Sequence, residues 1–93
     1  MSTVALMWEA RAADGRGNEL LEWARSQALE LERDPVRREV FRAPHDRVLV
    51  ITWWEAADGP AGEFPELPEP AADLITRPVH RWRFESVEAA GRA

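Results

Sequence analysis

The chain has 93 residues, 45% of them hydrophobic and 31% charged, and its twelve Arg against seventeen Asp and Glu leave a formal charge of −5. It contains no Cys, Tyr or Lys, and only three Ser, three Thr, two His and one Asn. Each missing side chain removes a chemistry: disulfide frameworks, cysteine zinc sites, thiol catalysis, lysine Schiff bases and P-loops are all excluded. The length fits one domain spanning residues 1–93. An isoelectric point near 5.0 lacks the basic footprint of a duplex binder, so no nucleic-acid partner is expected, although Arg bunches at 33–47 and 77–83 and offers a local anion site. No apolar run approaches the ~20 residues of a membrane span, and the N-terminus lacks the basic start and apolar core of a signal peptide. The expectation is a cytoplasmic protein with no membrane partner.

In chain order, residues 3–11 alternate Val4, Leu6 and Trp8 with Ala5, Met7 and Glu9, which predicts a strand. Asp14-Gly15 and Gly17 turn the chain, and Asn18 or Asp14 is placed to cap a helix. Leu20, Trp23, Ala24, Ala28 and Leu31 then recur at helical spacing, predicting an amphipathic helix over 18–33 that Asp34-Pro35 ends. Val36 to Ala43 mixes Val36, Val40 and Phe41 with Arg37, Arg38, Glu39 and Arg42, as a sheet edge does. After a turn at Pro44-His45-Asp46, the run Arg47 to Glu55 is apolar on both parities and predicts a central strand buried on both faces. Residues 58–78 hold five of the seven Pro and five acidic residues; 58–70 reads as a Pro-rich acidic loop, and only Pro70 to Ile75 has room for a turn or two of helix. Val79 to Val87 alternates His80, Trp82, Phe84 and Ser86 with Arg81, Arg83 and Glu85, a fourth strand, and 88–93 reads as a flexible tail.

Strand, helix, strand, strand, short helix, strand is the βαββαβ order of a ferredoxin-like α+β fold with a four-stranded antiparallel sheet. In that topology the first and third strands are central, which suits the apolar run 47–55. One helix covers one sheet face. The second apolar face of 47–55 then needs another cover, and self-association into a homodimer supplies it.

The element order, the strand ending Ile51-Thr52-Trp53-Trp54-Glu55-Ala56 and the aromatic last strand together resemble the antibiotic biosynthesis monooxygenase-like group of dimeric α/β barrels, over most of residues 3–87. The resemblance implies two ferredoxin-like sheets packed face to face into one barrel. It also implies an oxidoreductase acting without a cofactor or metal on a small aromatic or polyketide-type ligand, with Trp54 at the position of a pocket Trp. The group also contains haem-degrading oxygenases, whose strand Asn and helix His have no counterpart here: the first strand offers Trp8, Glu9 and Ala10, and the region around Phe64 has no His.

For such a reaction Arg81 or Arg83 would hold the substrate anion and His80 or Glu9 would take the proton, making His80, Glu9 and Arg83 the candidate catalytic residues. Trp54, Arg81, Trp8 and Trp82 are the candidate ligand-binding residues, since flat apolar side chains suit an aromatic ligand. Antiparallel pairing of the first and last strands predicts a polar patch of Glu9, Arg81 and Arg83 on one face, with Leu6 and Trp8 meeting Trp82 and Phe84 on the other. Trp53 and Trp54 face opposite sides, and Trp54 is the one expected in the pocket. The two His are too differently placed for a metal site. The plainer alternatives stay open: a cross-strand ion pair, surface histidines, Trp as core, and a non-catalytic homodimer whose interior is filled by its own Trp and Arg. An interior pocket of ~300 Å³ or more lined by Trp54 and an Arg favours the enzyme, and a filled interior favours the other reading.

Overall fold

The computed structural model describes residues 2–91. The chain forms β1 (Ser2–Arg11), α1 (Gly17–Leu29), β2 (Arg37–Ala43), β3 (Arg47–Ala56), a 3-10 turn at Gly59–Ala61 and β4 (His80–Glu85). The four strands make one sheet in the order β2-β3-β1-β4, every neighbour antiparallel. β3 thus lies between β1 and β2, and β1 between β3 and β4, an α+β arrangement compatible with a ferredoxin-like fold.

Strand alternation decides which residues form the core. Val4, Leu6, Trp8 and Ala10 of β1 and Val48, Val50, Thr52, Trp54 and Ala56 of β3 point to one side and are buried. α1 lays Leu20, Ala24 and Ala28 against the half of this face carrying Trp8, Ala10, Val48 and Val50. The long connection 57–79 covers the rest: Leu67 and Leu74 join the α1 cluster, and Phe64 packs on Val4, Leu6, Trp54 and Ala56.

Three elements differ from expectation. α1 ends at Leu29, four residues early, because Leu31 turns inward to pack against both core clusters and Arg33 reaches over Trp54, 5.4 Å from its ring centroid, with Nη2 donating to the Glu63 carbonyl at 3.1 Å. Neither Asn18 nor Asp14 caps the helix. The carboxylate of Asp46, from the β2–β3 turn, stands at that end and accepts from the Gly15 N–H at 3.3 Å, so close that a Cβ on Gly17 would meet its Oδ1 at 2.6 Å. That turn holds His45 and Asp46 at positive φ, which these residue types tolerate better than most.

The second helix is absent. Ala72–Leu74 forms a single turn closed by Leu74 N–H to Ala71 O at 2.9 Å, after which Ile75 bridges to Ala12. Residues 63–71, with prolines at 65, 68 and 70, form neither helix nor strand. β4 is shorter than Val79–Val87. Residues 86–91 are exposed and form no element, and residues 92 and 93 of the expected tail lie outside the described residues.

Candidate functional site on the open sheet face

Among the described residues, no helix or loop packs across the opposite face of the sheet. The strand registers set out its side chains in rows: Arg37, Trp53, Ala5 and Phe84; then Glu39, Ile51, Met7 and Trp82; then Phe41, Leu49, Glu9 and His80. Trp82 and Phe84 are 46% and 51% exposed, and Met7, Leu49, Ile51 and Trp53 are half-buried by their neighbours alone. β3 is therefore central as expected, yet within one chain only its even-numbered side is buried.

Two ion pairs formed within the chain sit at corners of this face; by register Arg11 and Arg47 also lie at one end of it and Glu55 at the other, where Glu55 Oε1 accepts from Thr3 Oγ1 at 2.9 Å. On the β2 side Arg37 donates to Glu39 at 2.7 Å and stacks over Trp53 at 4.9 Å. On the β4 side Arg77 Nη2 donates to both oxygens of Glu9, at 2.8 and 3.0 Å, and the Glu9 side chain is only 15% exposed. His80 completes this corner: its Nδ1 lies 3.7 Å from Glu9 Oε1 and its ring meets Trp82 edge-on at 5.4 Å. At 3.7 Å the contact is longer than a direct hydrogen bond. An exposed imidazole beside a guanidinium-paired carboxylate can exchange protons with a ligand on this face.

The expected site residues divide between the two faces. Glu9, His80 and Trp82 are on the open face; Trp8, Trp54, Arg81 and Arg83 are on the helix side. The predicted patch of Glu9, Arg81 and Arg83 does not form, because Trp8 pairs with Arg81 and Leu6 with Arg83, while Glu9 pairs with His80 and Met7 with Trp82. Trp54 likewise faces the core, 4% exposed, with its Nε1 donating to Thr52 Oγ1 at 2.9 Å and its ring against Phe64 at 6.0 Å; of the two adjacent tryptophans of β3, Trp53 is the one on the open face. Trp8 packs on Trp23 at 5.9 Å and donates from Nε1 to the Pro68 carbonyl at 3.3 Å.

Arg81 and Arg83 fasten the proline-rich connection to the sheet. Arg81 Nη1 donates to the Leu67 carbonyl at 2.7 Å, and Arg83 Nη1 to the carbonyls of Pro60 and Gly62 at 3.0 and 2.7 Å. Glu66 bridges both guanidiniums at 3.6 and 3.1 Å. A proline-rich segment that is not helical leaves its carbonyls without helical partners, and these two side chains supply donors. Beneath it, the space lined by Leu6, Trp8, Val50, Thr52, Leu67 and Arg81 amounts to about 10 Å³, room for no ligand.

Arg77, Trp53, Arg37 and Ile51 belong to the open-face site and were not among the candidate site residues; Trp53 was set opposite Trp54, and Trp54 was the one expected in the pocket. Ile51 and Trp53 share a parity within β3, which was a usable signal; Arg77, just before Pro78, precedes the strand and lies outside its alternation. Among the described residues no three His, Asp or Glu side chains gather as metal ligands, and no helix is long and apolar enough to cross a membrane. No protein-family model, curated protein or solved structure matches the chain.

Proposed function

We propose that this protein is a non-catalytic homodimeric binding or structural module in which two copies close their open sheet faces on each other. The observation that carries this reading is the apolar surface of Leu49, Ile51, Trp53, Met7, Trp82 and Phe84 across β3, β1 and β4, joined by Phe41 of β2, while the helix-side interior is filled. Burying the remaining surface of a large side chain contributes about 1 kcal/mol where half of it is exposed and less where about a third or less is, and both copies contribute. Met7, Phe41, Leu49, Ile51, Trp53, Trp82 and Phe84 together are then of the size needed to offset an association cost on the order of 4–15 kcal/mol. The Arg37–Glu39 and Glu9–Arg77 pairs are formed within the chain and bring in no net charge, while Arg11, Arg47 and Glu55 lie at the two ends of the face, where they can stay in water at the rim. Light scattering tests the reading: it expects twice the chain mass of 10.6 kDa, and a mass of one chain at high micromolar concentration would remove it.

One arrangement favours a second reading, a monooxygenase-like enzyme acting without a cofactor on a small aromatic or polyketide-type ligand between the sheets. His80, beside Glu9 and against Trp82, is placed to take a proton from a ligand lying on the aromatic face. In that reading Arg83 contributes nothing direct, being on the other side of the sheet. Oxygen uptake with a panel of quinols, compared between the native chain and His80→Ala, separates the two: uptake lost in the variant supports the enzyme, and no uptake across the panel supports the module.

A further inference from the structure

Three charges at the ends of the open sheet face have no counter-ion among the described residues. Arg11 and Arg47 are direct cross-strand partners on β1 and β3, and neither makes an ion pair; Arg47 Nε donates to the Pro44 carbonyl at 3.1 Å. Like charges directly opposite on neighbouring strands are destabilising. The carboxylate of Asp46, in the adjoining turn, is directed to the start of α1, where it accepts from the Gly15 N–H. At the other end of the face Glu55 is exposed, and its carboxylate accepts from the Thr3 hydroxyl but meets no cation.

The spacing of these charges makes the face complementary to itself. Ile51 lies midway between Arg47 and Glu55 on β3, Met7 lies midway between Thr3 and Arg11 on β1, and Ile51 and Met7 are themselves cross-strand partners. Two sheets stacked face to face keep their strand directions within about 30° of each other. A twofold axis between them therefore runs either nearly along the strands or nearly across them. An axis along the strands gathers Arg11 and Arg47 of both copies at one end, with no carboxylate among them, and both Glu55 side chains at the other. An axis across the strands at the Ile51–Met7 row exchanges the ends instead. Each Glu55 then comes over the Arg11–Arg47 pair of the other copy, and Ile51 and Met7 each meet their own counterparts.

We infer that the second copy docks about an axis across the strands, so that β3 of the two copies run antiparallel and Glu55 of each closes on Arg11 and Arg47 of the other. The inference rests on the sheet-face dimer proposed above and adds its orientation. Charges at a rim select partner and register more than they add affinity, and here they select one of two ways of stacking the same apolar surface.

Pulsed dipolar spectroscopy tests the orientation. Pro44→Cys, exposed in the β2–β3 turn of a chain without Cys, places one spin label at the Arg11–Arg47 end. Roughly 17 Å of strand separates this turn from the Ile51 row. An axis across the strands therefore sets the two labels at opposite ends of the dimer, about 30–45 Å apart, whereas an axis along the strands brings them to one end, below about 25 Å. Glu55→Arg provides a second arm, since it turns attraction into repulsion at both ends and should raise the dimer dissociation constant about tenfold at low salt. Arg11→Glu combined with Arg47→Glu should do the same, and an equimolar mixture of the two variants should regain native affinity as a heterodimer. A distance below about 25 Å, or native affinity in the Glu55→Arg homodimer, would overturn the orientation while leaving the dimer standing. A labelled chain that gives no dipolar modulation and the mass of a single chain by light scattering would remove dimer and orientation together.

Discussion

Replacing Arg83 by Met removes the guanidinium while keeping an unbranched apolar stem over the sheet, and so isolates the polar fastening of the proline-rich connection. Three polar contacts disappear: Nη1 to the carbonyls of Pro60 and Gly62, and Nη2 to Glu66 Oε2 at 3.1 Å. The stacking of the guanidinium over Phe64 at 5.4 Å goes with them. The side chain is 34% exposed, so each carbonyl bond is counted at about 1 kcal/mol rather than at the upper end for charged donors. The Glu66 ion pair adds less than ~1 kcal/mol and the cation–π contact roughly 0.5 kcal/mol. The sum is about 2.5–3.5 kcal/mol, a large share of the 5–15 kcal/mol typical of a domain. Urea unfolding should show that loss. Hydrogen exchange should show where it falls, with faster exchange of the Gly62 N–H, which bonds Gly59 O at 3.1 Å, and little change in the β1–β3 ladder. A loss under ~0.5 kcal/mol with unchanged exchange at Gly62 would refute the idea that Arg83 fastens this segment.

Other expectations concern α1 and its ends. Leu20 is fully enclosed under the helix, so Leu20→Ala should cost about 2–5 kcal/mol in chemical unfolding, the range for an unrelaxed core cavity. Gly17→Ala should destabilise the native chain because its Cβ meets Asp46 Oδ1, yet be nearly neutral in an Asp46→Gly background; strict additivity of the two in a double-mutant cycle would contradict that contact. The hydrogen bond from Arg16, at 2.7 Å, lowers the Glu19 pKa from its ordinary value. A carboxyl depressed in the folded state stabilises at neutral pH, and that contribution is lost as pH falls through its folded pKa. An NMR titration should therefore place Glu19 below an ordinary glutamate, and Glu19→Gln should flatten the acid side of the stability profile.

Strand parity was legible in the sequence wherever it was a property of one strand. Val4, Leu6 and Trp8 do share a face, as do Arg81 and Arg83, and the doubly apolar run 47–55 is a central strand. What alternation does not carry is register between strands, and a one-residue slip exchanges the faces. Trp82 and Phe84 therefore looked like partners for Leu6 and Trp8, whereas the ladder places Arg81 and Arg83 there. The reason lies in the cover. A regular apolar helix over β4 would have favoured aromatic side chains beneath it, but a proline-rich segment with free carbonyls favours arginine. The same register sent Trp54 to the core and Trp53 to the open face, and brought Glu9 to His80 instead of the arginines. The early end of α1 was hidden for a related reason: Leu31 keeps the helical spacing but serves a non-helical contact with both core clusters.

The central claim, that the open sheet face is buried against a second copy, makes a four-layer arrangement with the two α1 helices on the outside. Layers about 10 Å apart place the two helix axes roughly 30 Å from each other. The chain has no Cys, so Ser26→Cys, on the exposed side of α1, gives a single spin-label site away from the interface. Pulsed dipolar spectroscopy should then return one narrow distance in the range of about 35–50 Å, the axis separation plus two label arms. It should be lost when Ile51→Asp is added to the open face. No dipolar modulation in the parent, or a short separation near 20 Å that Ile51→Asp leaves untouched, would contradict it, the latter because helices packed directly on each other have axes only ~8–10 Å apart.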